Sequence, residues 1–519
     1  MARSASLVGL FTLLSRILGL IRDAVVAAIY PRAATDAFFI AFRIPNVLRR
    51  LTGEGALTVA FIPVFTDYLE RGDEAEARRM LQSTLGFALV LLTGMSLCGV
   101  GLSHWVVKAF AAGFVGEKFR LSVVLTRIMF GFMLTTGLTA LSMGVLNTRR
   151  HFAAPALAPA VLNVVIIASV LLGTRMVLGL GMDGTIALGV GVVLGGGAQV
   201  VLQLPFLRRH GMLVVPRLDW RHPGMRQVGR LMIPAVFGLA IYEINVIIAG
   251  QFASFLPEGS VSALYYAQRL IEFPMGIFVV ALATVAMPNL SSHASAGNMA
   301  QLKETYRYAL RMVLFIIFPA TAGLVALQLP LTAVLFQRGQ FSQVMAQQTA
   351  HTLFGFVVGL WAGAGVRQTV PVFYALKDTR TPVKVAATSL VVYVIAALLM
   401  YRRMGTFGLA LAVAISSVVN FGLLALLLRL RLGRLGLRRI TGSGVRAVVA
   451  ATACGGVAYL VAMLGRWEGG GALVRNYVVL LAAVVTGIGA YVVIARLLGT
   501  PELAELVGAF RGTNRKRDR

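Results

Sequence analysis

Apolar runs of about 20 residues, long enough to cross a bilayer as helices, recur along the whole chain and are separated by short charged loops. Read with a window of about 19 residues, the pattern predicts helices centred near residues 18, 44, 92, 134, 164, 195, 241, 275, 320, 360, 392, 418, 454 and 486. The expected fold is therefore an all-α polytopic membrane protein with fourteen transmembrane helices. Arg3 followed by Leu7 to Leu14 has the outline of a signal peptide. No cleavage site follows directly, and the charged stretch from Ser15-Arg16 to Arg22-Asp23 passes into more apolar sequence, so an uncleaved first span is expected.

Fourteen spans place both termini on one side, and the loops then sort by charge. That side receives 29 of the 48 Lys and Arg, the other side 10, and 9 fall within spans. The excess lies in loops such as Arg208 to Arg230 and Arg429 to Arg446, and in the tail from Arg511. Positive charge is retained on the cytoplasmic side of a membrane, so both termini are expected in the cytoplasm. Composition agrees. The chain is 58% hydrophobic and 13% charged with a mean hydropathy of +0.81, whereas soluble domains carry about 25% charged residues. The net charge of +28 is accounted for by loop charge, and no nucleic-acid partner is needed to explain it. Cys98 and Cys454 lie in apolar runs and the six histidines are scattered, which leaves neither a disulfide framework nor a metal cluster, and no cofactor is expected.

An internal repeat runs at an offset of 225 to 227. Asp36-Ala-Phe-Phe-Ile-Ala-Phe-Arg43 aligns with Ser262-Ala-Leu-Tyr-Tyr-Ala-Gln-Arg269, Pro63 with Pro288, Gly72 with Gly297, Arg150 with Lys377 and Pro155 with Pro382. The repeated unit is six spans. An even unit repeats in the same orientation, which predicts two lobes related by an axis along the membrane normal, with a binding cavity where they meet. The expected division is an N-lobe over residues 1–225 (spans one to six), a C-lobe over 226–437 (spans seven to twelve), and spans thirteen and fourteen with the basic tail over 438–519.

Charge inside spans is costly and marks a cavity or a partner. Span one carries Arg16, Arg22 and Asp23, span two Asp36, Arg43, Arg49 and Arg50, and span eight Arg269 and Glu272. Seven-residue spacing on a helix puts Arg16 with Asp23 and Ser15 with Arg22, while Asn46, Arg49 and Arg50 share one face. Pro45 and Gly53-Glu54-Gly55 are expected to interrupt the second span. Any one arginine could neutralise a carboxylate or snorkel to the interface. Together they outnumber the carboxylates, and an arginine-lined wall suits an anion, above all a phosphate, which a guanidinium binds through paired hydrogen bonds. Arg367 is a further candidate, isolated in span ten.

Ser15-Arg16-Ile-Leu-Gly-Leu-Ile-Arg22-Asp23, Ala34-Thr-Asp36-Ala-Phe-Phe, Pro45-Asn46-Val-Leu-Arg49-Arg50, Glu54-Gly-Ala and Tyr265-Tyr-Ala-Gln-Arg269-Leu-Ile-Glu272-Phe-Pro274 resemble the signatures of the MurJ/MviN family. These are bacterial lipid II flippases of the multidrug/oligosaccharidyl-lipid/polysaccharide exporter superfamily. The resemblance covers essentially all fourteen spans. It implies two six-helix lobes forming a V, a cationic central cavity, and a groove from spans thirteen and fourteen for the lipid tail. On matching positions, it implies that Arg16, Arg22, Arg49, Arg50 and Arg269 face the substrate, while Ser15, Asp23, Asp36, Arg43, Asn46, Glu54 and Glu272 hold or gate them. The implied protein is no enzyme; it moves lipid II from the inner to the outer leaflet of the cytoplasmic membrane by alternating access, driven by membrane potential or an ion gradient.

Two positions depart from that pattern. Gln268 stands where many relatives carry an acid, which passes the pairing of Arg269 to Glu272. Glu243 in span seven stands where relatives often carry an amide, and is either a coupling site for H+ or Na+ or a satisfied core acid. Gly179-Leu-Gly181-Met-Asp-Gly184 fits a dinucleotide pattern but lacks its strand-turn-helix setting. Gly189, Gly191 and Gly195 to Gly197 read as small-residue helix packing. No Walker lysine, H-E-x-x-H or G-x-S-x-G motif occurs, which leaves a gradient as the energy source. The alternatives are a flippase for another polyprenyl-diphosphate glycan, a cation-coupled drug exporter, which the sign of the charges disfavours, and a non-transporting scaffold whose basic loops recruit cell-wall synthesis proteins.

Overall fold

The computed structural model describes the backbone of residues 2–51, 58–468, 471 and 473–510, and every element in it is helical. The chain divides into two compact units, Met1–Ser262 and Ala263–Arg519. The first holds α1 (Ala2–Ile29), α2 (Arg32–Leu51), α3 (Thr58–Glu70), α4 (Glu74–Phe110) and α5 (Gly116–Thr148). It continues with α6 (Ala153–Ala168), a π turn over Ser169–Gly173, α7 (Thr174–Gly179), α8 (Thr185–Arg209) and α9 (Pro223–Ser254). Then α10 (Ser260–Pro274) leads into the second unit. There follow a π turn over Met275–Val279, α11 (Val280–Ser295), α12 (Met299–Ala326), α13 (Gln328–Phe336), α14 (Gln343–Val357) and α15 (Leu360–Ala375). The chain closes with α16 (Arg380–Leu432), α17 (Leu437–Ala462), α18 (Val474–Leu497) and α19 (Pro501–Phe510).

Each of the fourteen predicted centres falls within a helix or π turn. Among the described residues nine helices are long and apolar enough to cross a membrane, or ten if α14 and α15, bent by 45°, form one span. One of the nine, α16, is 53 residues long and folds at Gly405 (φ 57°), so it supplies two of the predicted spans. The second predicted span is not interrupted at Pro45. Instead α2 runs through that residue to Leu51, and the Asn46 side chain donates to the carbonyl of Phe42 at 2.7 Å, adding a side-chain hydrogen bond in the turn that the proline weakens. Gly53-Glu54-Gly55 and the tail from Arg511 lie outside the described residues.

The backbone reproduces the repeat in detail. Among the described residues, the two non-glycine residues at positive φ are Arg150 (58°) and Lys377 (57°), the pair aligned in sequence. Gly72 and Gly297 likewise share positive φ at the repeat spacing, and Gly181 with Gly405 and Gly211 with Gly433 do so a few residues short of it. These are turn positions that L side chains avoid, so their recurrence reflects repeated loop geometry. Asp73 caps α4 by accepting from the amide of Glu76, and Asn298 caps α12 by accepting from that of Gln301. The cores correspond as well: Phe61, Phe65, Ala77, Leu81, Val145 and Leu146 in the first unit hold the places of Ala286, Leu290, Leu302, Tyr306, Val372 and Phe373 in the second.

By packing, α9 belongs with the first unit, against α2, α3 and α4, although the sequence repeat restarts with it. Gln251 of α9 donates to the carbonyls of Lys108 and Ala109 at the end of α4. The Gly113 amide donates to Ser254 Oγ at 3.0 Å. Gly181 and Gly184 shape the turn into α8, where Asp183 accepts from the amide of Thr185, so the dinucleotide-like pattern is a helix-capping turn. Gly189, Gly191, Gly195 and Gly196 admit Leu125, Ser169, Leu162 and Phe132 respectively, while Gly197 faces open space. In the second unit, α17 and α18 pack on α12 through Phe315, Ala447, Ala450 and Tyr491. There Arg311 of α12 meets Glu502 at 2.8 Å and Glu505 at 3.6 Å on α19.

Candidate functional site

In the first unit, a network of charged and polar side chains lies within apolar helices. Arg22 of α1 is buried and forks onto Asp23, its Nε and Nη2 donating to Oδ1 at 3.0 and 2.6 Å. Its Nη1 donates to Asn163 Oδ1 of α6 at 3.0 Å, and Asn163 Nδ2 donates to the carbonyl of Ser15 at 3.1 Å. Phe42 covers the guanidinium, its ring centroid 5.8 Å from Cζ. A guanidinium held at several points in apolar surroundings keeps its charge and is pre-organised. About two turns away, Ser15 and Arg16 line a cavity of about 420 Å³ with Thr12, Met143, Asn147 and Phe152. That volume is in the range of small-ligand sites.

The remaining α2 residues line up along α9. Arg43 Nη1 donates to the carbonyl of Val246 at 3.3 Å, Arg49 Nε donates to Asn46 Oδ1 at 3.2 Å, and Arg50 Nη1 lies 3.5 Å from Glu243 Oε1. Glu243 is 3% exposed, and Arg50, Arg49 and Arg43 all act on it electrostatically. Its carboxylate therefore faces three cations from one helix.

At the opposite end of α2, Asp36 is fully buried. It accepts from Lys118 Nζ at 2.8 Å, from the amides of Gly259 and Ser262 at 2.8 and 2.9 Å, and from Ser262 Oγ at 2.7 Å. The carboxylate thus caps the first turn of α10 from another helix, placing negative charge where that helix has orphan amides. Lys118 also sits 4.1 Å from the centroid of Phe114. Asp36 and Ser262, which the repeat aligns with each other, are bonded directly.

In the second unit, Arg269 Nη1 lies 3.4 Å from Glu272 Oε2, one turn along α10, and Gln268 is exposed. Arg367 is exposed on α15. Glu54 lies outside the described residues. Among the described residues no group of His, Cys, Asp and Glu is placed to hold a metal. Sequence reading named Arg22, Asp36, Arg43 and Glu243 but missed the groups that hold them: Asn163, Lys118, Ser262 and the carbonyl of Val246. Asn163 and Lys118 carried a signal, since each interrupts or borders an apolar run, but nothing in their spacing identifies a partner 82 or 141 residues away.

The sequence profile described as Lipid II flippase MurJ matches residues 25–479. The protein named probable lipid II flippase MurJ of Vibrio cholerae is 37% identical over 423 residues, covering 79% of this chain and 80% of its own length. The lipid II flippase MurJ of Burkholderia cenocepacia is 35% identical over 413 residues, covering 78% and 79%. Among solved structures, the fold is similar to that of a lipid II flippase MurJ in an inward closed conformation, with a TM-score of 0.78 over 95% of this chain and 98% of that one at 23% identity. It is also similar to an inward-facing multidrug resistance MATE family transporter of the MOP superfamily, with a TM-score of 0.68 over 81% and 95% at 16% identity. With most of its length matched by the family profile and by relatives above 30% identity, this chain belongs to the MurJ family of lipid II flippases.

Proposed function

We propose that this chain moves lipid II from the inner to the outer leaflet of the bacterial cytoplasmic membrane by alternating access, with Arg16, Arg22, Arg49, Arg50 and Arg269 binding the diphosphate headgroup. Family membership carries the substrate. The observation that carries the site is Arg22, buried in an apolar helix yet held in place by Asp23 and Asn163. An ionised group is rare in such surroundings unless function retains it. Asp36 and Lys118 act as a latch at the start of α10. Asp23 and Glu272 orient Arg22 and Arg269, and Glu54 lies on the same stretch of sequence as the α2 arginines. The transport is driven by the membrane potential or an ion gradient, for which Glu243 is the candidate H+ or Na+ site. Moving one negative charge outward down an inside-negative potential of 100 mV gains about 2.3 kcal/mol.

In this reading residues 1–225 and 226–437 are the two transport lobes, the helices from 438 onward seat the polyprenyl chain, and both termini are cytoplasmic, with the basic loops available to cell-wall synthesis proteins. Depletion in cells should accumulate lipid II in the inner leaflet. Complementation should fail for Arg22→Ala and Arg269→Ala with the protein still in the membrane, and Arg→Lys should restore it only in part, because lysine lacks the planar fork. If Arg269 merely neutralises Glu272, the double change Arg269→Gln with Glu272→Gln would restore transport; we expect it to remain inactive. A reporter fused after Arg519 or near Arg217 should read cytoplasmic, and one near Glu258 external.

A further inference from the structure

We propose that Glu243 is a built-in anion that occupies Arg50 until a diphosphate displaces it, and thereby screens out phosphate headgroups bearing a single charge. The inference rests on the reading that the α2 arginines bind the headgroup, and it assigns that site its selectivity. Three ion pairs in the first unit can be compared. Asp23 holds Arg22 at 2.6 Å and Asp36 holds Lys118 at 2.8 Å, both short charge-assisted hydrogen bonds, and Asp36 also accepts from two amides and the Ser262 hydroxyl. Glu243 meets Arg50 at 3.5 Å, a longer and weaker contact than either, with the Arg50 side chain 48% exposed and the Glu243 side chain 5% exposed. The second carboxylate oxygen, Oε2, is buried and has no hydrogen-bond partner among the described residues. A buried carboxylate this poorly satisfied adds little to the fold. Its position is better explained by exchange than by anchoring.

The neighbouring cations are already engaged. Arg43 donates to the Val246 carbonyl and Arg49 to Asn46. These two and Arg50, all on α2, are the charged groups acting on Glu243; α3 and α4, which also pack on α9, contribute none among the described residues. Arg50, half exposed and with the longest of these contacts, is therefore the guanidinium an incoming anion can take at least cost. A phosphodiester with one negative charge replaces one carboxylate charge by one phosphate charge and gains little. A diphosphate brings at least two charges and more oxygens for the guanidinium fork, enough to displace the carboxylate. Glu243, left buried beside a polyanion, then takes one proton from solvent and returns it when the diphosphate leaves and Arg50 swings back.

Calorimetry on the purified full-length chain in detergent, in two buffers of different ionisation heat, tests this with inorganic pyrophosphate and with glycerophosphoglycerol, the water-soluble headgroup of a singly charged phospholipid. The wild type should bind pyrophosphate with linked proton uptake and strongly prefer it. Glu243→Gln should raise the affinity for glycerophosphoglycerol several-fold, narrowing the preference, and should take up fewer protons with pyrophosphate; the probe's own ionisation contributes equally to both chains. If Glu243→Gln does not fold, Glu243→Asp, whose carboxylate is withdrawn by one methylene, should give the same narrowing. Unchanged selectivity and proton uptake in a folded variant would overturn the inference while leaving the diphosphate site standing. No pyrophosphate binding by the wild type would remove the site reading, and this inference with it.

Discussion

Asp36→Asn is the substitution whose cost can be worked most directly from the geometry. At 2.8 Å the Lys118–Asp36 pair has a gross Coulomb energy of about 6 kcal/mol at an effective dielectric of about 20. Desolvation offsets much of this, but removing one partner of a buried pair leaves the other charge uncompensated, at a cost of about 3–5 kcal/mol. The Lys118 side chain is only 11% exposed, so water gives it little relief. Asparagine is nearly isosteric and retains one acceptor oxygen, which cannot serve the amides of both Gly259 and Ser262 together with Ser262 Oγ. The loss should appear first as opening of the α2–α10 junction. Hydrogen exchange at the Gly259 and Ser262 amides should accelerate by roughly two to three and a half powers of ten. Adding Lys118→Met, which removes the stranded cation and keeps a soft side chain on Phe114, should recover part of that protection but not all, since the amides still lack their carboxylate. Unchanged exchange at both amides in Asp36→Asn would refute the reasoning, because the carboxylate would then hold nothing closed.

Other consequences are as specific. A Cβ on Gly113 would lie 2.5 Å from the Ser254 carbonyl oxygen, a backbone atom, whereas one on Gly94 in α4 meets nothing within 4 Å; Gly113→Ala should lower stability by about 1–3 kcal/mol and Gly94→Ala should leave it equal or slightly higher, as read by thermal melts. Burial, then the charges of His210 and Arg209, push the His151 imidazole below its ordinary value of 6.5. The unfolded chain therefore binds the proton more readily, and the contribution of His151 to stability is present above pH 6.5 and lost as pH falls through the lowered value; His151→Gln should show a shallower fall in melting temperature from pH 7.5 to 5.5. Deleting residues from about 440 onward strips Glu502 and Glu505 from Arg311, so the shortened chain should melt lower than the full chain, and adding Arg311→Met should regain part of the difference.

How much was legible in the sequence depends on what each feature required. Span positions follow from transfer of apolar side chains to hydrocarbon, a property of the local run, and all fourteen centres meet helices. Pairing across helices is not local. A 3.6-residue period tells which face a side chain takes and says nothing about which helix faces it, so Arg22 could be named while Asn163 on α6 could not. Pro45 misled for a related reason. Its local cost to a helix is real, but the Asn46–Phe42 contact and the packing of α2 on α5 sustain the helix through it.

The same distinction separates what the two halves share from what they do not. Loop conformations, helix caps and core positions recur at the repeat spacing, from Arg150 and Lys377 to Leu81 and Tyr306, because each half solves the same packing problem with the same backbone. Arg43 with Arg269, and Arg150 with Lys377, keep a charge in both copies, but other ionisable positions break the repeat. Glu243 falls where the first half has Leu18, Lys118 where the second has Met345, and Asp36 where the second has Ser262. None of these is required by the backbone, since the other copy builds the same turn or helix without it. A charge kept in one copy at the expense of desolvation must therefore be retained for something the copies do not do equally. In a chain of six-span repeats, departures from the repeat at buried ionisable positions mark where the two copies differ more directly than the charges taken one at a time.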